Sequence, residues 1–153
     1  MKLSSQDLIN ENLIRLDSLA KTKDESLKMI SDIMLEEKRI SSKKAYYQGM
    51  LEREKASTTG FGGGIAIPHA KIKEVIEPTI SVIKLSTPVE WESLDNQPVE
   101  LIIALAVPDS AEGTTHLQLL AKLSENLMED DFVESLLNTN TKTGFNKLIK
   151  SIF

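Results

Sequence analysis

The chain contains no cysteine. That excludes disulfides, a thiolate nucleophile and any zinc site built on sulfur. Histidine is nearly as scarce: His69 and His116 are the only two. Imidazole chemistry must use one or both, and two histidines without a third ligand make a poor zinc site. Neither a metal nor a cofactor is expected. Positive charge is not in surplus either, since 18 Lys and Arg stand against 23 Asp and Glu, a net charge of −5. This argues against a general nucleic-acid or anionic-membrane binder. No segment approaches the about 20 apolar residues of a membrane helix. The longest apolar stretch, Val99 to Val107, is interrupted by Glu100. The N-terminal Met1-Lys2-Leu3-Ser4-Ser5-Gln6-Asp7 lacks the apolar core of a signal peptide. A cytoplasmic protein with no direct membrane insertion is expected.

The composition is that of a globular protein, with 41% hydrophobic and 27% charged residues in 153. The absence of repeats and linkers makes residues 1–153 one expected domain. The first third reads as helix. Thr22-Lys23-Asp24-Glu25 has the form of a capping box, followed by Leu27, Ile30, Ile33 and Met34 at helical spacing. Ser41 or Ser42 can cap a second helix to about Lys55, which places Arg53 near its C-terminal end. The middle is β-like. Thr79 to Leu85 partly alternates, Val89-Glu90-Trp91 alternates, and Leu94-Asp95-Asn96-Gln97 reads as a turn. Val99 to Val107, bracketed by Pro98 and Pro108, reads as a central strand covered on both faces. Thr114 or Thr115, then Asp130-Asp131, then Thr141 open three further helices. The expected fold is α/β, a three-layer sandwich with a small mixed β-sheet flanked by helices on both faces.

Four of the seven glycines fall in Gly60-Phe61-Gly62-Gly63-Gly64. Glycine loses the most backbone entropy on ordering, so this stretch predicts a loop rather than a regular element. Its N–H groups could form an anion nest. It is neither a P-loop nor a dinucleotide fingerprint, because no Gly-Lys-Ser/Thr ends it and no helix follows before Pro68. His69 comes next, aimed by the fixed φ of Pro68. A neutral imidazole is nucleophilic, and one ring nitrogen can accept a phosphoryl group while the other donates a hydrogen bond that sets the tautomer. Taken singly, His69 could equally be a turn histidine, His116 a satisfied core histidine and Arg53 a solvated surface arginine. Asp109 and Glu112 could form an acidic rim or serve only solubility.

Together, Arg53-Glu54 and the run Thr58-Thr59-Gly60-Phe61-Gly62-Gly63-Gly64-Ile65-Ala66-Ile67-Pro68-His69 resemble one family. It is the IIA component (EIIA type 2) of the fructose/mannitol kind in the bacterial phosphoenolpyruvate-dependent sugar phosphotransferase system (PTS). Leu94-Asp95, Pro98-Val99 and His116-Leu117 with Leu120-Ala121-Lys122-Leu123-Ser124 extend the resemblance, which runs from about Leu13 to Phe153. It implies a phosphotransferase component in which His69 is phosphorylated on Nε2. The implied donor is the HPr phosphocarrier protein, and the acceptor a cysteine of an EIIB domain working with membrane EIIC. His116 and Arg53 match the second active-site histidine and its arginine. Thr59 and Gly60 match the loop that, with Arg53, would bind phosphate. An apolar rim including Phe61 would receive both partners. The same architecture could instead serve as a regulatory module of the nitrogen-PTS kind. Ser57 stands where the family has glycine, so a positive φ there would be strained, whereas Asn96 suits its turn.

Overall fold

The structure, a computed structural model, describes residues 8–110 and 113–153, with the side chains of 113–115 outside the described set. The expected acidic-rim residue Glu112 and the capping hydroxyls of Thr114 and Thr115 therefore lie outside the described residues.

After a 3₁₀ turn, Glu11–Leu13, the chain enters β1 (Ile14–Ser18). Helices α1 (Lys23–Glu36) and α2 (Lys43–Ala56) follow. Their caps are those the sequence predicts: Thr22 Oγ1 accepts from Glu25 N–H at 3.0 Å, and Ser42 Oγ accepts from Ala45 N–H at 3.1 Å. Leu27, Ile30 and Met34 of α1, with Tyr46 and Met50 of α2, form the buried stripes. Ser57, which ends α2, has extended backbone (φ −172°), so its replacement of glycine carries no strain.

The glycine run departs from expectation. It is a tight hairpin rather than an irregular loop: β2 (Gly60–Gly62) pairs antiparallel with β3 (Ile65–Ala66). Gly62, Gly63 and Gly64 all take positive φ, at 109°, 66° and 85°, a path closed to most side chains. The turn is anchored by Asp95 Oδ2, which accepts from Gly63 N–H at 3.0 Å. Asn96 sits at φ +59°, as its residue type allows.

His69 opens a strand, β4 (His69–Ile72). Strands β3 and β4 run parallel along the same edge of β6 (Val99–Pro108) in one register, Ile65 opposite Leu101 and His69 opposite Leu105. Ile67 and Pro68 interrupt the line. Proline has no N–H to give the ladder, and its carbonyl accepts from Leu105 N–H at 3.0 Å. The two expected strand pieces before β6 are one, β5 (Thr79–Val89), with a register irregularity between Lys84 and Val89. Strand β6 is central, with every residue buried except Glu100.

The six strands make one mixed sheet in the order β1-β5-β6-β3-β2, with β4 also on β6. Helices α3 (Gly113–Leu127), α4 (Asp130–Asn138) and α5 (Lys142–Ser151) complete the chain. Helix α3 begins upstream of both candidate capping threonines, whereas Thr141 caps α5, accepting from Gly144 N–H at 3.0 Å. The sheet with helices packed around it is the expected α/β sandwich.

Gly60 marks the tightest approach. A Cβ there would lie 2.4 Å from Ser93 Oγ and 2.7 Å from Ser93 Cα. Gly60→Ala should therefore cost about 1–3 kcal/mol by overpacking. The check is the urea midpoint, which should fall with the slope unchanged; an unaltered midpoint would contradict the packing described.

Candidate active site

The site forms where β4, the end of α2 and the start of α3 meet. Parallel pairing with β6 fixes the backbone of His69. Tyr46 of α2 donates its buried hydroxyl to the Leu105 carbonyl at 2.8 Å, tying the helix to the strand beside His69. Burial pushes the Tyr46 phenol far above its ordinary range, so it stays a donor. Gly49, one turn before Arg53, lets α2 approach β4 closely; a Cβ there would stand 3.0 Å from Ala70 Cβ.

Both nitrogens of His69 are specified. Nδ1 lies 2.8 Å from the Ile67 carbonyl oxygen. A carbonyl only accepts, so Nδ1 carries the proton and Nε2 carries the lone pair. Arg53 confirms that assignment by donating Nε–H to Nε2 at 3.2 Å. Its other end is fixed by donation from Nη1 to the Ser57 carbonyl at 2.8 Å and to Ser57 Oγ at 3.2 Å. The His69 ring is only 5% exposed. Burial, and then the charges of Arg53 and His116, hold its pKa below the ordinary 6.5 against the opposing pull of the Ile67 hydrogen bond and Glu54.

His116 packs beside it, with ring centroids 5.5 Å apart and planes tilted by 58°. It is half-buried, and its Nε2 is buried with no hydrogen-bond partner among the described residues. Desolvation, then Lys71 and Arg53, lower its pKa. The two rings, Arg53, Lys71, Gly49, Glu52, Ala70, Ile72 and Leu120 line an open cavity of about 450 Å³. A cavity that Arg53, Lys71 and both imidazoles line, with Glu52 at its wall, suits an anion carrying acceptor oxygens.

Other expected residues lie differently. Thr59 is 4% exposed, and its hydroxyl bonds Glu54 and accepts from Trp91 Nε1 at 3.2 Å. The Thr59 N–H donates to Glu54 Oε2 at 3.2 Å, and the Gly60 N–H to Thr58 Oγ1 at 3.1 Å. The donors of the hairpin base are thus occupied within the protein. Phe61 packs against the core and does not line the cavity; Leu120 supplies its apolar wall. Asp109 is exposed in the turn after β6. Glu54 is the residue that sequence reasoning passed over. Its signal is the four-residue spacing from the buried Met50. Among the described residues no three His, Asp or Glu side chains converge as metal ligands.

The geometry fixes the pH behaviour. Because the folded His69 binds its proton more weakly than the unfolded chain does, its contribution to stability is complete above about pH 6.5 and is lost as pH falls below it. In a nitrogen-15 NMR titration, His69 should be neutral at pH 7 with the proton on Nδ1. Arg53→Gln should raise its midpoint by removing a cation; an unchanged or lower midpoint would contradict the assignment.

The comparisons with known proteins bear on the family. The family described as "Phosphoenolpyruvate-dependent sugar phosphotransferase system, EIIA 2" matches residues 7–152. The "PTS system fructose-specific EIIA component" of Haloferax volcanii is 35% identical over 130 residues, covering 85% of this chain and 84% of that protein. The "PTS system fructose-specific EIIABC component" of Bacillus subtilis is 34% identical over 89% of this chain, which spans only 21% of that longer protein. Among solved structures, nitrogen regulatory protein IIA-Ntr from Neisseria meningitidis superimposes with a TM-score of 0.86 at 26% identity, covering 94% of this chain and 97% of that one. The family match over nearly the whole chain, with a relative 35% identical over 85% of it, places the chain in the EIIA type 2 family of the phosphoenolpyruvate-dependent sugar phosphotransferase system.

Proposed function

We propose that this chain is a phosphohistidine carrier that accepts a phosphoryl group on His69 Nε2 and passes it to a cysteine of an EIIB partner. The observation that carries the proposal is the pair of bonds to the His69 ring: Ile67 holds the proton on Nδ1, so the lone pair at Nε2 is ready at neutral pH.

Each transfer then balances without moving a proton at His69. In acceptance, the Nε2 lone pair forms an N–P bond as the N–P bond of the donor phosphohistidine breaks and its electron pair returns to the donor ring. In delivery, a cysteine thiolate forms an S–P bond as the N–P bond at His69 breaks and the pair returns to Nε2. The proton stays on Nδ1, donated to the Ile67 carbonyl, throughout. Phosphoryl transfer asks chiefly for position and charge stabilisation. Arg53 Nε–H, displaced from Nε2 by the incoming phosphorus, turns to the phosphoryl oxygens, and His116 in its Nε2–H tautomer donates to another. Thr59 and Gly60 shape the hairpin beneath the site, and direct phosphate contacts from them would require release of their present bonds.

The donor is HPr and the acceptor an EIIB domain working with membrane EIIC. Support for the EIIB and EIIC partners comes from the Bacillus subtilis relative, named as an EIIABC component, and support for a fructose role from the fructose-specific EIIA component of Haloferax volcanii; the HPr donor is what the family resemblance implies. Fructose-type uptake is the transport role proposed. The resemblance to IIA-Ntr favours one second reading, a regulatory module that signals by its phosphorylation state. Reconstitution with candidate EIIB domains separates the two, because transport requires delivery to a cysteine and signalling does not.

Incubation with phosphoenolpyruvate, enzyme I and HPr should label the chain once, with acid-labile phosphate. His69→Ala should abolish the label, and label surviving in that variant would overturn the proposal. His116→Ala should still accept phosphate but deliver it about 100-fold more slowly, the scale of losing one oxyanion contact. Delivery at the wild-type rate would remove His116 from the mechanism.

A further inference from the structure

Glu54 is a buried charge that the phosphoryl-transfer scheme does not use. Its side chain is 6% exposed. A carboxylate taken out of water is costly unless it is paired and fully hydrogen-bonded, and this one is. Oε1 accepts from the Thr59 hydroxyl and from Trp91 Nε1 at 3.3 Å. Oε2 accepts from Thr59 N–H at 3.2 Å and pairs with Lys23 Nζ at 2.8 Å. All four partners are donors, so the position calls for a group with two acceptor oxygens and no hydrogen. Only an ionised carboxylate provides that.

Beyond Thr59 the chain of bonds continues to the reacting ring. The Thr59 carbonyl accepts from Ile67 N–H at 3.0 Å, and the Ile67 carbonyl accepts from His69 Nδ1–H at 2.8 Å. Ile67 lies in the gap between β3 and β4, outside the ladder with β6, so these are the bonds that hold its backbone, one on the peptide before it and one on the peptide after. Arg53 and Glu54 are neighbours on the last turn of α2. One reaches His69 Nε2 directly, and the other reaches Nδ1 through Thr59 and Ile67.

We propose that Glu54 is a positioning residue for phosphoryl acceptance: its carboxylate holds Thr59, and through Thr59 the backbone of Ile67, in the conformation that keeps the His69 proton on Nδ1. This rests on the carrier function proposed above. Trp91 is the only tryptophan in the chain, and its indole N–H bonds both Glu54 and Thr59. The network thus carries its own fluorescent reporter.

The test compares the wild type with Glu54→Gln and Thr59→Val. Glutamine keeps the size but turns an NH₂ toward donors, whereas valine keeps the carboxylate with its Lys23 partner and deletes only the threonine hydroxyl. Nitrogen-15 NMR of the histidine rings, with no phosphoryl donor present, reads the tautomer. Transfer from phosphorylated HPr then reads the rate. Glu54→Gln should show His69 in both tautomers, shifted Trp91 emission, and phosphoryl acceptance slowed 10- to 100-fold, the scale of a reacting atom misplaced by about 1 Å. Thr59→Val should change in the same direction. A folded Glu54→Gln that keeps the single Nδ1–H tautomer and the wild-type rate overturns the proposal. If Glu54→Gln does not fold, an unchanged tautomer and rate in Thr59→Val overturns it equally. Failure of the wild type to accept phosphate would instead remove the carrier function, while the tautomer would still decide the role of Glu54.

Discussion

One hydrogen bond, from His69 Nδ1–H to the carbonyl of Ile67, governs the chemistry open to this protein. It decides which ring nitrogen bears the proton and therefore which bears the lone pair. The carbonyl is available because Ile67 and Pro68 interrupt an otherwise continuous strand along β6, and Pro68 has no N–H to close the gap. The bond is local, but the orientation of that peptide depends on the glycine hairpin, which reaches Ile67 through the Thr59 carbonyl. Fold and site are thus joined at a single residue, whose N–H meets the hairpin and whose carbonyl meets the ring.

Helix α2 is the second constraint. Gly49 lets it lie close on β4, Tyr46 pins it to Leu105, and its last turn delivers Arg53 to His69 and Glu54 to Thr59. Burial and neighbouring cations keep both imidazoles neutral, which suits a group that must act as nucleophile and then as leaving group. A site that merely bound phosphate would gain by adding donors. A carrier gains by holding the transition state more tightly than the resting phosphoenzyme, and a neutral, partly open site with one arginine fits that need.

Much of this was legible in the sequence where local chemistry decides the structure. The helix caps at Thr22, Ser42 and Thr141 are side-chain to backbone bonds within three residues, and they stand where the residue types place them. The central position of β6 follows from its nearly continuous apolar run, broken only at Glu100. His69, Arg53 and His116 do come together, although no spacing rule reveals that; the resemblance of the whole motif did. The strand character of Gly60–Gly62 was hidden because glycine has low strand propensity and the pairing is supplied by Ile65 and Ala66. Glu54 was hidden because a glutamate beside other charges on a helix reads as solvated, and its burial comes from Trp91 and Lys23, distant in sequence.

The phosphorus–nitrogen connection is the most direct test of the central claim. Nitrogen-15 labelled chain, phosphorylated and examined by phosphorus–nitrogen correlation NMR, should show one N–P bond, at Nε2 of His69, with Nδ1 still protonated. Phosphorus on Nδ1 of His69, on His116, or on an oxygen would contradict the account.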